Sequence, residues 1–290
     1  MQWEYLLPGE FEDAIKRAKG VCVIPIGAME VHGTHLPLGC DALKGIAFTN
    51  RAAEIADVVS CPGAPYFGDM TGACGGGNIA IPLPIIRELL TALCDECYNN
   101  GFKKIVFVTS HGGNKPMMDT FVREIRIKHP NYIVYHYYQK MGTPQAILEE
   151  IEKYPYLTES DIAVFQSYVD EKKYGGHGCF KETSCIYHLY PELVAREKIG
   201  ELDGHNTHRA DQFYAHGISC AYNWESNFPN KYASVEHEGM NERVARAIAE
   251  KTVNDTAAAL KLIKEDTLCD ALLAKAQEEY KAHTAALVNR

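Results

Sequence analysis

The twelve residues EVHGTHLPLGCD, positions 30–41, bring Glu30, His32, His35 and Asp41 together with no Lys or Arg among them. Carboxylates and imidazoles at this density suit a borderline divalent cation, so the chemistry they first offer is metal binding. Glu30 and His32 are two apart and point the same way in an extended segment. Gly33, Pro37 and Gly39 then break regular structure and let the chain curl, so that Asp41 returns to the same point. The competing reading is a polar loop whose histidines cap neighbouring backbone. The run VCVIPI from Val21, ended by Gly27, reads as a buried parallel strand. These groups therefore leave the carboxyl end of a strand, where open α/β sheets place their ligands.

A second strand, Ile105 to Val108 in KKIVFVTSHGGN, runs into Ser110, His111, Gly112 and Gly113. A histidine at a strand end, followed by glycines that admit close approach, suits a metal ligand with substrate over the loop, although it could instead cap the next helix. In GGHGCFKETS, from Gly175, His177 follows two glycines, which predicts an accessible ring. Glu182 opens a helical run and can turn its carboxylate toward the sheet; a charge paired with the helix dipole is the alternative.

The elements that must position these groups alternate. Helical spacing covers Phe11 to Lys19, the stretch after Asp41 with Ala47, Ala52, Ile55 and Ala56 on one side, the segment PIIRELLTALCDECYNN, and Pro116 to Lys128. Strands are predicted in VVSCPGAPY and over Tyr132 to Tyr138. Repeated βα units imply an α/β fold: a single domain over 1–290, with a mostly parallel sheet flanked by helices. The glycine-rich loop from Tyr66 lacks the P-loop pattern and reads as a flexible wall. Gly142 to Tyr174 is acidic and poor in periodicity, which suggests a lid or an oligomer contact. A strong amphipathic helix starts at Asn241, and a C-terminal helical extension from about residue 266 is a candidate contact with a neighbouring subunit. His205, His208, His216 and His237 share no tight ligand spacing and read as surface or core residues.

Together, E-x-H-G-x-H-L-P-L-x-x-D, the S-H-G-G-N segment and the His177 to Ser184 segment resemble the creatininase (creatinine amidohydrolase) family over roughly residues 20–265. The resemblance implies a creatininase-like fold and two divalent metal ions per subunit, Zn, Mn or Fe. It assigns Glu30, Asp41 and His111 to one ion and His32, Asp41 and Glu182 to the other, with Asp41 bridging. His177 would move a proton to the departing nitrogen. The implied protein is a metal-dependent amidohydrolase acting on a cyclic amide or other non-peptide C–N bond of a small-molecule substrate, commonly as a homohexamer. Some positions depart from the family pattern. Ser110 replaces a glycine without expected harm, Gly77 and Asn78 stand where Gly-Thr is common, and Cys179 and Phe180 differ, with Phe180 expected to bear on specificity. Gly113 stands where creatininase carries a metal-binding glutamate, so either Glu182 supplies that carboxylate or the second metal is missing.

Composition limits the classes. Of 290 residues 46% are apolar and 23% charged, enough to bury a sizeable core. The formal charge of −9, without a Lys/Arg cluster, argues against nucleic acid or an anionic membrane as partner. No apolar run reaches the length of a membrane span, and the acidic N-terminus does not resemble a signal peptide, so the expected location is cytoplasmic. The ten cysteines are scattered, with one Cys-x-x-Cys at Cys94 and Cys97, and read as buried free thiols. Two other classes stay open. One is a metal-dependent lyase, hydratase or isomerase of a sugar or inositol derivative; the other is a non-catalytic metal-binding or assembly protein.

Overall fold

Four apolar runs form one parallel sheet in the computed structural model, which describes residues 1–63, 76–128, 131–172, 176–230 and 237–288. They are β1 (Val21–Ile26), β2 (Val59–Ser60), β3 (Lys104–Thr109) and β4 (Ile133–Tyr138), in the order β2-β1-β3-β4. Every residue of β1 and β3 is buried, because helices cover both faces of the sheet. That explains why both strands read as continuous apolar runs instead of alternating ones. β2 is shorter than VVSCPGAPY suggested, and the end of that segment, like most of the glycine-rich loop from Tyr66, lies outside the described residues.

From β1 the chain steps to β2 on one side, while β3 and β4 lie on the other. The reversal falls between β1 and β3, which run in register from Val21 opposite Lys104 to Ile26 opposite Thr109. Loops leaving these two strands part at their carboxyl ends and open the crevice where such sheets bind ligands.

The helices are α1 (Phe11–Arg17), α2 (Cys40–Ala56), α3 (Leu83–Asn99), α4 (Asn114–Lys128), α5 (Pro144–Glu149), α6 (Glu159–Asp170), α7 (Phe180–Leu189), α8 (Asp211–Ala215), α9 (Asn223–Asn227), α10 (Glu242–Glu265) and α11 (Leu268–Val288). α2 buries Phe48, Ala52, Ala53 and Ala56, whereas Ile55 is 40% exposed, so the apolar stripe is rotated from the expected one. α10 packs on α2 and α7, and its buried face includes Val244, Ala245, Ala247 and Ile248. Its start is capped by Asn241, which accepts from the amides of Arg243 and Val244. α11 leaves Leu268, Leu272 and Tyr280 exposed.

The segment read as a lid is instead helical and packed. α5 and α6 contribute Ile147, Phe165 and Tyr168 to the core, and Tyr168 stacks on Phe180 with centroids 4.1 Å apart. Sequence periodicity missed it because each helix is short and buries few side chains. The thiol reading holds for the described cysteines, all free and most of them buried.

Candidate metal centre

Gly27, directly after β1, lies against the start of α2: a Cβ added there would fall 2.3 Å from the Ala42 Cα. This contact seats the first turn of α2, and with it Asp41, on the strand end. Gly27→Ala is therefore expected to cost about 3 kcal/mol or more, since backbone must move. Denaturant unfolding and chelator competition would read the lost stability and the loosened metal binding; unchanged values for both would refute the contact's role. Ser110 tightens the same junction, its Oγ 2.8 Å from the Asp41 carbonyl oxygen. The replacement expected to be harmless thus helps to place Asp41.

Between the two ends the chain curls as expected. The Glu30 amide donates to the Leu38 carbonyl at 2.9 Å, Gly33 supplies a φ of +71°, and Asn78 Oδ1 accepts from the Val31 amide at 3.0 Å. Asn78 thus holds the loop between Glu30 and His32. Asp41 does not end a free loop but sits in the first helical turn, its side chain 2% exposed.

Among the described residues three donor groups result: two share Asp41, and the third joins Glu30, His32 and His177. In the first, His111 Nδ1 lies 3.1 Å from Asp41 Oδ2 and 3.2 Å from Glu30 Oε2. In the second, His32 Nε2 lies 3.5 Å from Asp41 Oδ2 and 3.6 Å from Glu182 Oε2. His32 Nδ1 donates to the Glu30 carbonyl at 3.0 Å, which fixes the tautomer and leaves Nε2 facing the carboxylates. All three donors of each group lie within 4.8 Å of one another. Glu182, in the first turn of α7, is held by the Gly178 amide on Oε2 at 2.7 Å.

One cation in the site was not anticipated. Lys44 lies one turn after Asp41 on α2, is 1% exposed, and donates to Asp41 Oδ1 and, at 3.0 Å, to Glu182 Oε1. The signal for it was an acid and a lysine three apart on one helix face, visible only once the helix is seen to begin at Cys40.

Electrostatics follow from these contacts. Burial opposes charge on Asp41 and Glu182, yet Lys44 foremost, then His32, holds Asp41 well below the usual carboxylate range and Glu182 at about 2. Burial likewise opposes the Lys44 ammonium, and Asp41 in particular keeps its pKa well above the ordinary lysine value. The same balance raises His32 to about 9, through Asp41 and Glu182, and His111 to about 10, through Asp41 and Glu30.

Does a divalent cation fit these residues? The first group calls for one. Glu30 Oε2, which faces His111 Nδ1, is buried without a hydrogen-bond partner, an expensive state for a polar atom. The second group has the right donors, but its two carboxylates are already bonded to Lys44.

His177 reaches the site as expected but is not accessible. Its side chain is 12% exposed, its ring stacks on His32 with centroids 3.9 Å apart, and Nε2 donates to the Val31 carbonyl at 2.5 Å. His35 turns away and meets Thr183 Oγ1 at 2.9 Å, which His237 Nε2 also contacts at 2.9 Å. His237 is therefore a half-buried support of Thr183, the residue next to Glu182. Phe180 is core, stacked on Tyr168, and does not line the cavity, contrary to the expected effect on specificity.

Above the donors opens a cavity of about 670 Å³, walled by His177, Lys181, Tyr214 and Trp224, with Gly112 and Gly113 leaving room beside His111. The α8–α9 wall had no signal in the sequence. A profile of the creatininase family, described as creatinine amidohydrolase, matches residues 4–278. The chain belongs to the creatininase family. Creatinine amidohydrolase from Pseudomonas putida is 25% identical over 202 residues, 66% of this chain and 72% of that one. A structure from Bacteroides fragilis described as a creatinine amidohydrolase superposes with a TM-score of 0.66 at 18% identity, covering 92% of this chain and 98% of that one. A structure described as creatininase with Mn gives a TM-score of 0.62 at 19% identity, covering 91% and 99%. These likenesses establish the creatininase α/β fold around the crevice at β1 and β3. Among the described residues no helix is long and apolar enough to cross a membrane.

Proposed function

We propose that this chain is a metal-dependent hydrolase that opens a cyclic amide or another non-peptide C–N bond of a small molecule. The observation that supports it most is the first donor group: Glu30, Asp41 and His111 converge on the cavity floor, where Glu30 Oε2 is buried without a hydrogen-bond partner. When bound, a divalent cation supplies Lewis acidity toward a carbonyl oxygen and lowers the pKa of a water at the same point. Zn, Mn and Fe all suit the mixed carboxylate and imidazole donors.

The chain's own groups do the rest. With Nε2 committed to the Val31 carbonyl, His177 presents Nδ1 as its free acid–base atom, 3.8 Å from Glu30 Oε2. Nδ1 takes a proton as water adds and delivers it to the departing nitrogen. The His177 and Trp224 rings, edge to face at 5.0 Å, wall off that side from water. We further take the protein to be cytoplasmic and to work as a homo-oligomer, a homohexamer by family resemblance.

Asn78 and Phe180, the departures from the family pattern that would leave room for a lyase or isomerase, do not line the cavity. The test is turnover of creatinine, other cyclic amides, formamides and lactones by protein stripped of metal and reloaded with Zn, Mn or Fe in ¹⁸O-water. Metal-dependent turnover with one labelled oxygen in the product is expected; turnover without label overturns hydrolysis.

A further inference from the structure

Both carboxylates of the second donor group are already engaged. Asp41 Oδ1 and Glu182 Oε1 accept from Lys44 Nζ, and Glu182 Oε2 accepts from the Gly178 amide. Asp41 cannot give one oxygen to each of two ions while Oδ1 is so bonded, because only Oδ2 faces the histidines. Glu30 Oε2, a buried carboxylate oxygen without a hydrogen-bond partner, belongs to the first group.

Charge counting agrees. With the His32 and His111 imidazoles neutral, Glu30, Asp41 and Glu182 bring three negative charges and Lys44 one positive charge, so a single divalent ion neutralises the cluster. A second would leave two positive charges in excess among side chains at most 11% exposed, and such an excess is costly in a poorly solvated site. Gly113, beside His111 on the cavity wall, adds no carboxylate to offset it.

We propose that Lys44 takes the electrostatic place of a second cation, so that the chain holds one tight divalent ion, on Glu30, Asp41 and His111. This rests on the reading of the chain as a metal-dependent enzyme. A lysine is tethered at its site and does not dissociate, so His32, Asp41 and Glu182 stay an organised group whose charge is balanced from within. His32 then acts as a wall for His177 and not as a ligand.

The experiment strips the full-length protein with a chelator and titrates Mn or Zn, reading stoichiometry by calorimetry and by elemental analysis after gel filtration. The wild type is expected to bind near one tight equivalent. Lys44→Met is expected to bind a second, at least about a hundredfold tighter than the wild type binds it, because a buried like charge is gone. Should Lys44→Met fail to fold, electron paramagnetic resonance of the Mn-loaded wild type decides. An isolated Mn(II) signal supports the inference, and a spin-coupled pair overturns it. Two tight equivalents in the wild type overturn the inference but leave the hydrolase reading standing; no tight equivalent at all overturns both.

Discussion

Asp41→Ala is expected to weaken binding of the tight ion about a hundred- to several-thousandfold, the size of effect seen when one partner of a buried charged contact is removed. Asp41 Oδ2 is the atom both histidines face, and Oδ1 anchors Lys44, so the substitution also leaves the buried ammonium with Glu182 as its remaining carboxylate partner. Loss of activity should accompany loss of metal, and the metal-free variant should unfold at lower denaturant. Full occupancy in Asp41→Ala would remove it as a ligand. The wild type carries a related pH dependence. His111 is raised to about 10 in the metal-free protein by Asp41 and Glu30, against the effect of burial. Ion binding must displace that proton, so affinity should rise with pH, about tenfold per unit below that value. Competition titrations at several pH values read the slope, and a flat profile would contradict His111 as a ligand.

The parts of this site that were legible in the sequence are those fixed by chain proximity and by fold type. Apolar strands buried on both faces announce themselves, and parallel α/β sheets direct function to strand ends, so Glu30, His32 and His111 could be placed before any coordinates. What could not be read depended on where elements begin and against what they pack. Placing the start of α2 at Cys40 turns Asp41 from a loop residue into a helix residue and brings Lys44 onto its face. The glycines around His177 suggested an open ring, but packing on His32 and Trp224 decided otherwise. Ser110 and His237 looked neutral, and Asn78 looked like a departure bearing on substrate, because their effect is exerted on backbone or neighbours: they hold Asp41, Thr183 and Val31 in place. Likewise, the cavity wall of α8 and α9 comes from a segment without periodicity, where only tertiary contacts bring Tyr214 and Trp224 to the donors.

His177→Ala is expected to lower kcat by about a hundred- to ten-thousandfold while metal content stays at the wild-type level, the range for loss of a positioned proton-transfer group. Geometry motivates the role: Nε2 is held by the Val31 carbonyl, the ring is fixed between His32 and Trp224, and Nδ1 is left facing Glu30 and the cavity. A side chain fixed in this way needs no reorganisation as the proton moves. Burial, then the nearby His32 charge, lowers the His177 pKa below the ordinary histidine value. The base form therefore persists to lower pH than for an exposed histidine, and the acid limb of kcat/KM should fall below about pH 6.5. The defect should be most severe for substrates with a poor leaving nitrogen, since these depend most on protonation. His177 also lies within ligand distance of a Glu30 and His32 group, so metal analysis of the variant separates the two roles. Lost metal would make His177 a ligand, and an unchanged kcat would remove it from the mechanism.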